Sequence, residues 1–387
     1  MKLIFNSLHG PPFAISRAQS VTRPALVEAA DIRERLAHYL GAAVDYLRVL
    51  ASGWETTVFE FTLASRSPLA DNLPTGSPLV LRSYQGSRAD DKGARESITV
   101  NRLASAGYPV PRPYLFEPGH TPLGAPFLIM DRVAGGPLFA IKSFPQAFKT
   151  FSLGFIAFVR AQTQLHRLGS RGLNLDDIPN AYAADKTPPT APLLDRFLAI
   201  IAERIENGPL PGLSDALDRL RERAARFREA PASLVHMDFH PQNVIVKGMR
   251  VTGVIDWVNA DHGDRHLDVA TTSAILSTTA MDHPRWMRDN ALGNSLRALF
   301  NSLYLPLYHV MAPLEFDRLR YCQAVAALLR LSMLGMMRAR GPEAAGFRPE
   351  AINEVTPMVV RLLSRYAARK SGVPVSIEPA PSPQVSY

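Results

Sequence analysis

The chain's 387 residues, 47% hydrophobic and 20% charged, suffice for two or three compact units with their own cores and are too apolar for a disordered polymer. One cysteine, Cys322, excludes an internal disulfide and a cysteine-built zinc site, and a buried helical thiol is expected there. The formal net charge of +8 admits an anionic partner, but across residues 281–370 the 13 Lys/Arg against 7 Asp/Glu stand at helical spacing without aromatic interleaving. That pattern reads as a solvated helix face rather than a nucleic-acid surface, and leaves nucleotide phosphates as the anion.

In chain order, residues 1–24 read as an extended Pro- and Ser-containing arm with no signal-peptide core. "ALVEAADIRERLAHYLG" is a helix closed by Gly41. "LRVLASGWETTVFEFTLA" and "PLVLRSYQ" are β-runs joined by a turn-rich connector, "DDKGARESITVNRLASAG" is a helix ending at Gly107, and "APFLIMDRV" is a strand broken by "AGGPL". Helical patterns follow in "FKTFSLGFIAFVRAQTQLHRLG" and "LSDALDRLRERAARFREA", the second with Ser214 as N-cap and Leu217, Leu220, Ala224 and Phe227 on one stripe. "NVIVKGMRVTGVIDW" is a hairpin turning at Lys247 to Arg250, and almost everything beyond is helical up to a Pro- and Ser-rich tail. "AVAALLRLSMLGMM" holds Arg330 and is too short for a bilayer, so a cytoplasmic protein with no membrane partner is expected. No pattern bears on oligomeric state.

The segment "LVHMDFHPQNVIV" sets His236, Asp238, His240 and Asn243 among apolar residues, and Asp256 follows across the hairpin. Asn243 opens one strand and Asp256 closes its partner, so both return to one rim. Two hard oxygen ligands there suit Mg²⁺, which completes its shell with water and phosphate oxygens. Asp238, beside them, could accept a proton from an incoming hydroxyl.

"HMDFHPQN" followed by "VIDW" resembles the catalytic and metal loops of kinase-like phosphotransferases. "HMDFHPQNV" with "IDWVNADHGDRHLDVA" resembles the aminoglycoside phosphotransferase and choline kinase-like family more than protein kinases. The resemblance spans roughly residues 45–275. It implies an α+β, two-lobed protein-kinase-like fold with a small β-rich N-lobe and a larger, mainly helical C-lobe. The expected division is an arm and helix at 1–39, a nucleotide-binding lobe at 40–133, a catalytic and substrate-binding lobe at 134–371, and a flexible tail at 372–387.

By the same resemblance Asp238 is the catalytic base, His236 supports its loop, and Asn243 and Asp256 hold Mg²⁺. "ASGWETTVFEF" matches the phosphate-covering strand-turn-strand, with Ser52, Gly53, Thr56 and Thr57 as its small residues. Arg82 takes the position usually held by lysine, where it keeps the charge but changes the geometry. Glu96, turned inward with Val100 and Leu103, needs a cation, and Arg82 is the obvious one. "FLIMDRVAGG" resembles the interlobe strand, with Met130 behind adenine and the backbone of Asp131 to Val133 at its edge, and "YPVPRPY" matches the link before it.

The implied activity is transfer of the γ-phosphoryl group of ATP, or GTP, to a hydroxyl of a small molecule. Two alternatives stand beside it: a non-catalytic nucleotide-binding module, and a zinc or binuclear hydrolase built from His236, Asp238, His240, His262 and His266. His240 and His166 read as structural, Asp268 as a helix cap, and Asp261 or Asp264 as candidate substrate contacts. Trp286, Tyr304, Tyr308 and His309 read as pocket lining or as core.

Overall fold

The computed structural model describes residues 23–378, except Ser87, 141–148, 170–177, Lys186 and 279–289. The expected N-terminal arm and Trp286 lie outside the described residues.

A helix, α1 (Arg23–Leu40), ends at Gly41, whose φ of +59° reverses the chain. Five strands follow, β1 (Val44–Ser52), β2 (Thr56–Leu63), β3 (Leu79–Tyr84), β4 (Pro113–Glu117) and β5 (Phe127–Asp131), with α2 (Ala89–Ser105) between β3 and β4. They form one antiparallel sheet in the order β1-β2-β3-β5-β4. Alternation divides its two faces. Phe59, Phe61, Leu63, Leu79, Leu81, Phe127 and Ile129 point to one side and bury Leu36 and Leu40 of α1. On the other side Tyr84, Leu128 and Met130 join Ala89 of α2 and Val258 from the distant half of the chain. Register pairs Arg82 with Val58 and Leu128, and Val80 with Met130, so Arg82 and Met130 share that second face. β4 was expected only as a link; its prolines hide it, and as an edge strand it tolerates Pro113 at its start.

The crossing to the helical half runs through Gly135 and β6 (Gly136–Pro137), which pairs with β8 (Val244–Lys247); β8 in turn pairs with β9 (Arg250–Val254). Gly135 has φ +118°, and a Cβ there would lie 2.3 Å from the carbonyl oxygen of Val246, so only glycine lets the crossing lie against β8. A π-helical turn (Thr150–Gly154) leads into α3 (Phe155–Gly169), followed by α4 (Leu193–Asn207) and α5 (Ser214–Ala224). β7 (Ala232–Val235) pairs with β10 (Asp261–Asp264). Four helices close the fold: α6 (Arg265–Thr278), α7 (Ala291–Met311), α8 (Phe316–Arg340) and α9 (Pro357–Ser371). α8 is the central one, buried on nearly every side from Tyr321 to Met337, with Cys322 inside. No helix among the described residues is long and apolar enough to cross a membrane.

Three expectations are corrected. Ser214 does not cap α5: the turn Pro211–Leu213 is already helical before it, and the hydroxyl makes no capping bond. α4 was not among the expected elements. The described part of the tail, residues 372–378, is docked, with Ile377 buried, Ser376 N–H bonded to Gly212 O, and Glu378 paired with Arg338 at 2.8 Å.

Replacing Gly135 by alanine should destabilise the protein by about 2 kcal/mol or more, because backbone strain adds to a backbone clash. Gly76→Ala, at φ +68° with nothing within 4 Å of its Cβ, should cost only about 1 kcal/mol. Urea unfolding of both variants checks the difference.

Candidate active site

β7 delivers the chain to His236, which is fully buried. Its Nε2 lies 3.0 Å from Ile255 O, and its Nδ1 accepts the Asp238 N–H at 3.3 Å. Those partners fix a neutral ring that donates from Nε2, and burial lowers the pKa in the same sense, against the pull of Asp268 and Asp238. Met237, between them, has φ +61°, a conformation that a side chain resists. It is held by its N–H donating to Asp268 Oδ1 at 2.6 Å. Asp268 also receives Gln162 and His166 at 2.9 Å each, while Thr272 donates to Phe239 O at 2.8 Å. The loop bearing Asp238 is thus anchored from α3 and α6.

Asn243 donates from Nδ2 to Asp238 O at 3.0 Å and to Asp238 Oδ2 at 3.3 Å. Its amide nitrogen is committed, which leaves Oδ1 as an acceptor or ligand. Val244 pairs with Val254, and Ile255 N–H donates to Asn243 O at 2.9 Å, so the hairpin returns Asp256 to the rim where Asn243 begins. Asp256 has φ +71°. Its Oδ1 receives Arg82 Nη2, and Arg82 Nε lies 2.9 Å from Glu96 Oε2. The second contact is off the N–H direction, an ion pair rather than a directed hydrogen bond. Glu96 further accepts from Tyr84 OH at 2.8 Å and from Trp257 N–H at 3.0 Å. Burial acts against the Arg82 charge, but Asp256 and Glu96 outweigh it and hold the guanidinium protonated.

Burial by itself would raise the Asp238 carboxyl, yet its pKa is held well below the ordinary carboxylate range by His240 and Arg330. His240 Nε2 is 3.4 Å from Asp238 Oδ2, and Arg330 Nη1 is 3.9 Å from Oδ1. His240 is therefore more than a loop residue.

The donor set fits a magnesium ion. Asn243 Oδ1 and the second oxygen of Asp256 are two hard ligands on one rim, the small protein share that Mg²⁺ takes. Among the described residues no cluster of three or more His, Cys, Asp or Glu could hold a metal, so the residues of the zinc-hydrolase reading do not converge. His262 and His266 turn instead to Asp261 and Asp264.

The turn expected to cover the phosphates runs from Ser52 to Thr56, closed by Gly53 N–H donating to Thr56 O at 2.8 Å. Gly53 has no positive φ, and a Cβ there would meet only ordinary contacts, so local geometry does not require glycine. Met130 sits on the sheet face that carries Arg82. Asp131 directs its carboxylate to Tyr114 and its N–H to Arg112 O, and Val133 O accepts from Arg132. Those groups are engaged within the fold.

Several supporting residues change roles. Asp268 is not a cap but the anchor of the loop that carries Asp238. The cap is Asp264, which accepts His266 N–H at 2.8 Å. Asp261 is buried in a two-pronged pair with Arg196, at 2.8 and 2.9 Å, which occupies both of its oxygens. His166 is a packed, bonded histidine, Tyr304 and Tyr308 are core residues, and His309 accepts Leu314 N–H at 2.9 Å. Sequence reasoning missed Lys92, one helical turn before Glu96, and the Lys92–Glu55 pair at 3.4 Å, whose partners lie too far apart in the chain for local spacing to announce them.

The chain matches the model of the phosphotransferase enzyme family over residues 47–314. It belongs to that family. Its class is accordingly that of a small-molecule kinase, which decides against the non-catalytic module. The fold resembles the aminoglycoside phosphotransferase APH(4)-Ia (TM-score 0.55, 20% identity, 86% of this chain and 98% of that one). It also resembles a protein of Ralstonia eutropha JMP134 assigned as an aminoglycoside phosphotransferase (0.56, 18%, 87% and 98%). A third likeness is to the amicoumacin kinase hAmiN in complex with AMP-PNP, Ca²⁺ and Ami (0.52, 14%, 86% and 90%). At such identities the likeness is one of fold. No curated protein sequence matches the chain at a significant level.

Removing His240 leaves burial less opposed, so the Asp238 pKa rises and its carboxylate is lost at a higher pH. The acid limb of the kcat/KM profile of His240→Ala should therefore lie above that of the wild type; coincident limbs would separate His240 from Asp238.

Proposed function

We propose that the protein transfers the γ-phosphoryl group of ATP, with GTP as the alternative nucleotide, to a hydroxyl of a small molecule. The observation that carries this reading is the meeting of two halves of the chain at one point. Arg82, from the sheet, bonds Asp256 and Glu96, while Asn243 and Asp238 share a hydrogen bond on the same rim.

In this reading Arg82, backed by Glu96, grips phosphate oxygens with the donors that its ion pairs leave over. Asn243 and Asp256 hold Mg²⁺, which, when bound, neutralises charge on the β and γ oxygens. Asp238 accepts a hydrogen bond from the acceptor hydroxyl, aims its lone pair at phosphorus and receives its proton as transfer completes. His236 keeps that loop in register. Met130 lies behind the adenine ring, whose edge runs along residues 131–133, and Ser52, Gly53 and Thr56 form the turn over the phosphates. APH(4)-Ia has been crystallised with ADP and hygromycin B, which supports a nucleotide and a hydroxylated acceptor for this fold.

The acceptor surroundings favour a compound without a cation next to its reactive hydroxyl, because Arg330 and His240 already flank Asp238. A sugar, a macrolide-like molecule or a hydroxy acid meets that condition better than a polycationic aminoglycoside.

The test is a panel of hydroxylated acceptors assayed for Mg²⁺-dependent phosphorylation from ATP and GTP. Asp238→Asn should lower kcat by about 10²- to 10⁴-fold and leave ATP affinity within a few-fold of wild type; full activity in that variant removes Asp238 from the chemistry. Asp256→Asn should lose both nucleotide turnover and the Mg²⁺ dependence of ATP binding, read by calorimetry with and without chelator.

A further inference from the structure

From Tyr321 to Met337 the buried helix α8 carries one charged residue, Arg330. A cation on so apolar a stretch needs either a partner inside the protein or an opening beside it. Arg330 has the opening. Its side chain is 33% exposed, and its nearest carboxylate is that of Asp238, with Nη1 3.9 Å from Oδ1. That distance is an ion pair but too long for a hydrogen bond, and the guanidinium makes no hydrogen bond among the described residues. Its donors are therefore unused, beside the carboxylate proposed to receive the acceptor hydroxyl.

The surroundings of Arg330 are short of negative charge. Asp238 is already shared, because its Oδ2 faces His240 and the Asn243 amide. On the neighbouring helix α4, Arg204 donates from Nη1 to Leu329 O at 3.0 Å, which fastens the turn of α8 that bears Arg330. Arg204 makes no ion pair among the described residues, and burial outweighs Tyr182 and Glu203 and pushes its pKa down to about 10. Tyr182 completes the group. It stands among the charges of Asp238, Asp261, Arg204 and Arg330, and its ring packs edge to face on Phe197 of α4 with centroids 4.7 Å apart. Its hydroxyl makes no hydrogen bond among the described residues. Two cations and a hydroxyl with donors to spare, next to one proton acceptor, suit an anion that arrives on the same molecule as a hydroxyl.

We infer that Arg330, supported by Arg204, binds an anionic group of the acceptor, so that the compound phosphorylated carries a carboxylate or a phosphate a few bonds from its reactive hydroxyl. The inference rests on the phosphotransferase reading above and narrows its acceptor class. The hydroxyl donates to Asp238 while the anion accepts from the guanidinium, and the 3.9 Å between the two groups sets a short molecule. A neutral acceptor leaves the buried Arg204 charge uncompensated, and a polycation is repelled.

Phosphorylation from ATP with Mg²⁺, measured on matched pairs of one anionic and one neutral acceptor, tests it in wild type, Arg330→Gln and Arg330→Lys. One arm sets short hydroxy acids against their amides and the other sets glycerol phosphate against glycerol, so the arms show which anion is taken. Wild type should prefer the anionic member. Arg330→Gln should lower that preference in kcat/KM about 10- to 100-fold, mainly through KM, and Arg330→Lys should fall between. Both members of a pair meet the same Asp238, so their ratio is unmoved by a change in that carboxylate or by a loss of folded protein. If wild type prefers neutral acceptors, or if the ratio is the same in Arg330→Gln, Arg330 only neutralises Asp238, and the inference is wrong while the phosphotransferase reading stands. If wild type phosphorylates nothing in either arm or in the wider acceptor panel, both readings fall together.

Discussion

The structure turns on a buried cation between two carboxylates. Arg82 leaves β3 on the face opposite the α1 core, meets Glu96 of α2, and continues to Asp256 beyond the β8–β9 hairpin. With 7% of its surface exposed, an unpaired guanidinium there would be prohibitively costly, and removing one partner of such a set costs about 3–5 kcal/mol. Replacing the set with apolar residues need not destabilise the fold, so its persistence calls for another reason. The triad spans the boundary between the sheet and the helical half. It holds the cation proposed to face the nucleotide and the carboxylate proposed to face the metal in one geometry, at the expense of a left-handed backbone at Asp256.

A second anchor does for the catalytic loop what the triad does for the cleft. Met237 also adopts a left-handed conformation, and Asp268 offsets that strain by accepting its N–H, while Gln162 and His166 hold Asp268 in turn. Tyr304 donates to Gln162 Oε1 at 2.6 Å, and Tyr308 lies 2.5 Å from His166 Nδ1. Every polar group in this network is buried and partnered, the condition under which such a network rigidifies rather than weakens a core. The strained turn and its support together point Asp238 outward from an otherwise dry interior.

The legible parts of this arrangement were those that chemistry forces into short segments. His236, Asp238 and Asn243 lie within eight residues, and Asp256 follows at a distance set by one hairpin. The inward turn of Glu96 could be read from Val100 and Leu103 beside it. Asp268 was misread as a cap because local spacing offers only that explanation, whereas its partners Gln162 and His166 are about a hundred residues away in the chain. The strand Pro113–Glu117 was masked by prolines that an edge position permits. The helix Leu193–Asn207 was legible and passed over, since Leu194, Leu198 and Ile201 repeat at helical spacing. Nothing in "GPEAAGFRPE" announces that Phe347 and Arg348 meet residues almost three hundred positions earlier; such a contact exists only once both halves have folded.

The electrostatics of Asp238 bear on how the proposed reaction would proceed. A carboxylate held far below its usual pKa by His240 and Arg330 is a weak proton acceptor at equilibrium, poorly matched to remove a proton from an alcohol before transfer begins. That disfavours an early alkoxide. It suits a loose transition state, in which the phosphoryl group has largely left the nucleotide and the hydroxyl needs orientation more than activation. The proton then moves late, when the oxygen already bears the new bond and has become acidic enough for even a weak base. The groups that depress Asp238 also keep it ionised, so in the proposed reaction the site would exchange basicity for a constant, correctly directed acceptor.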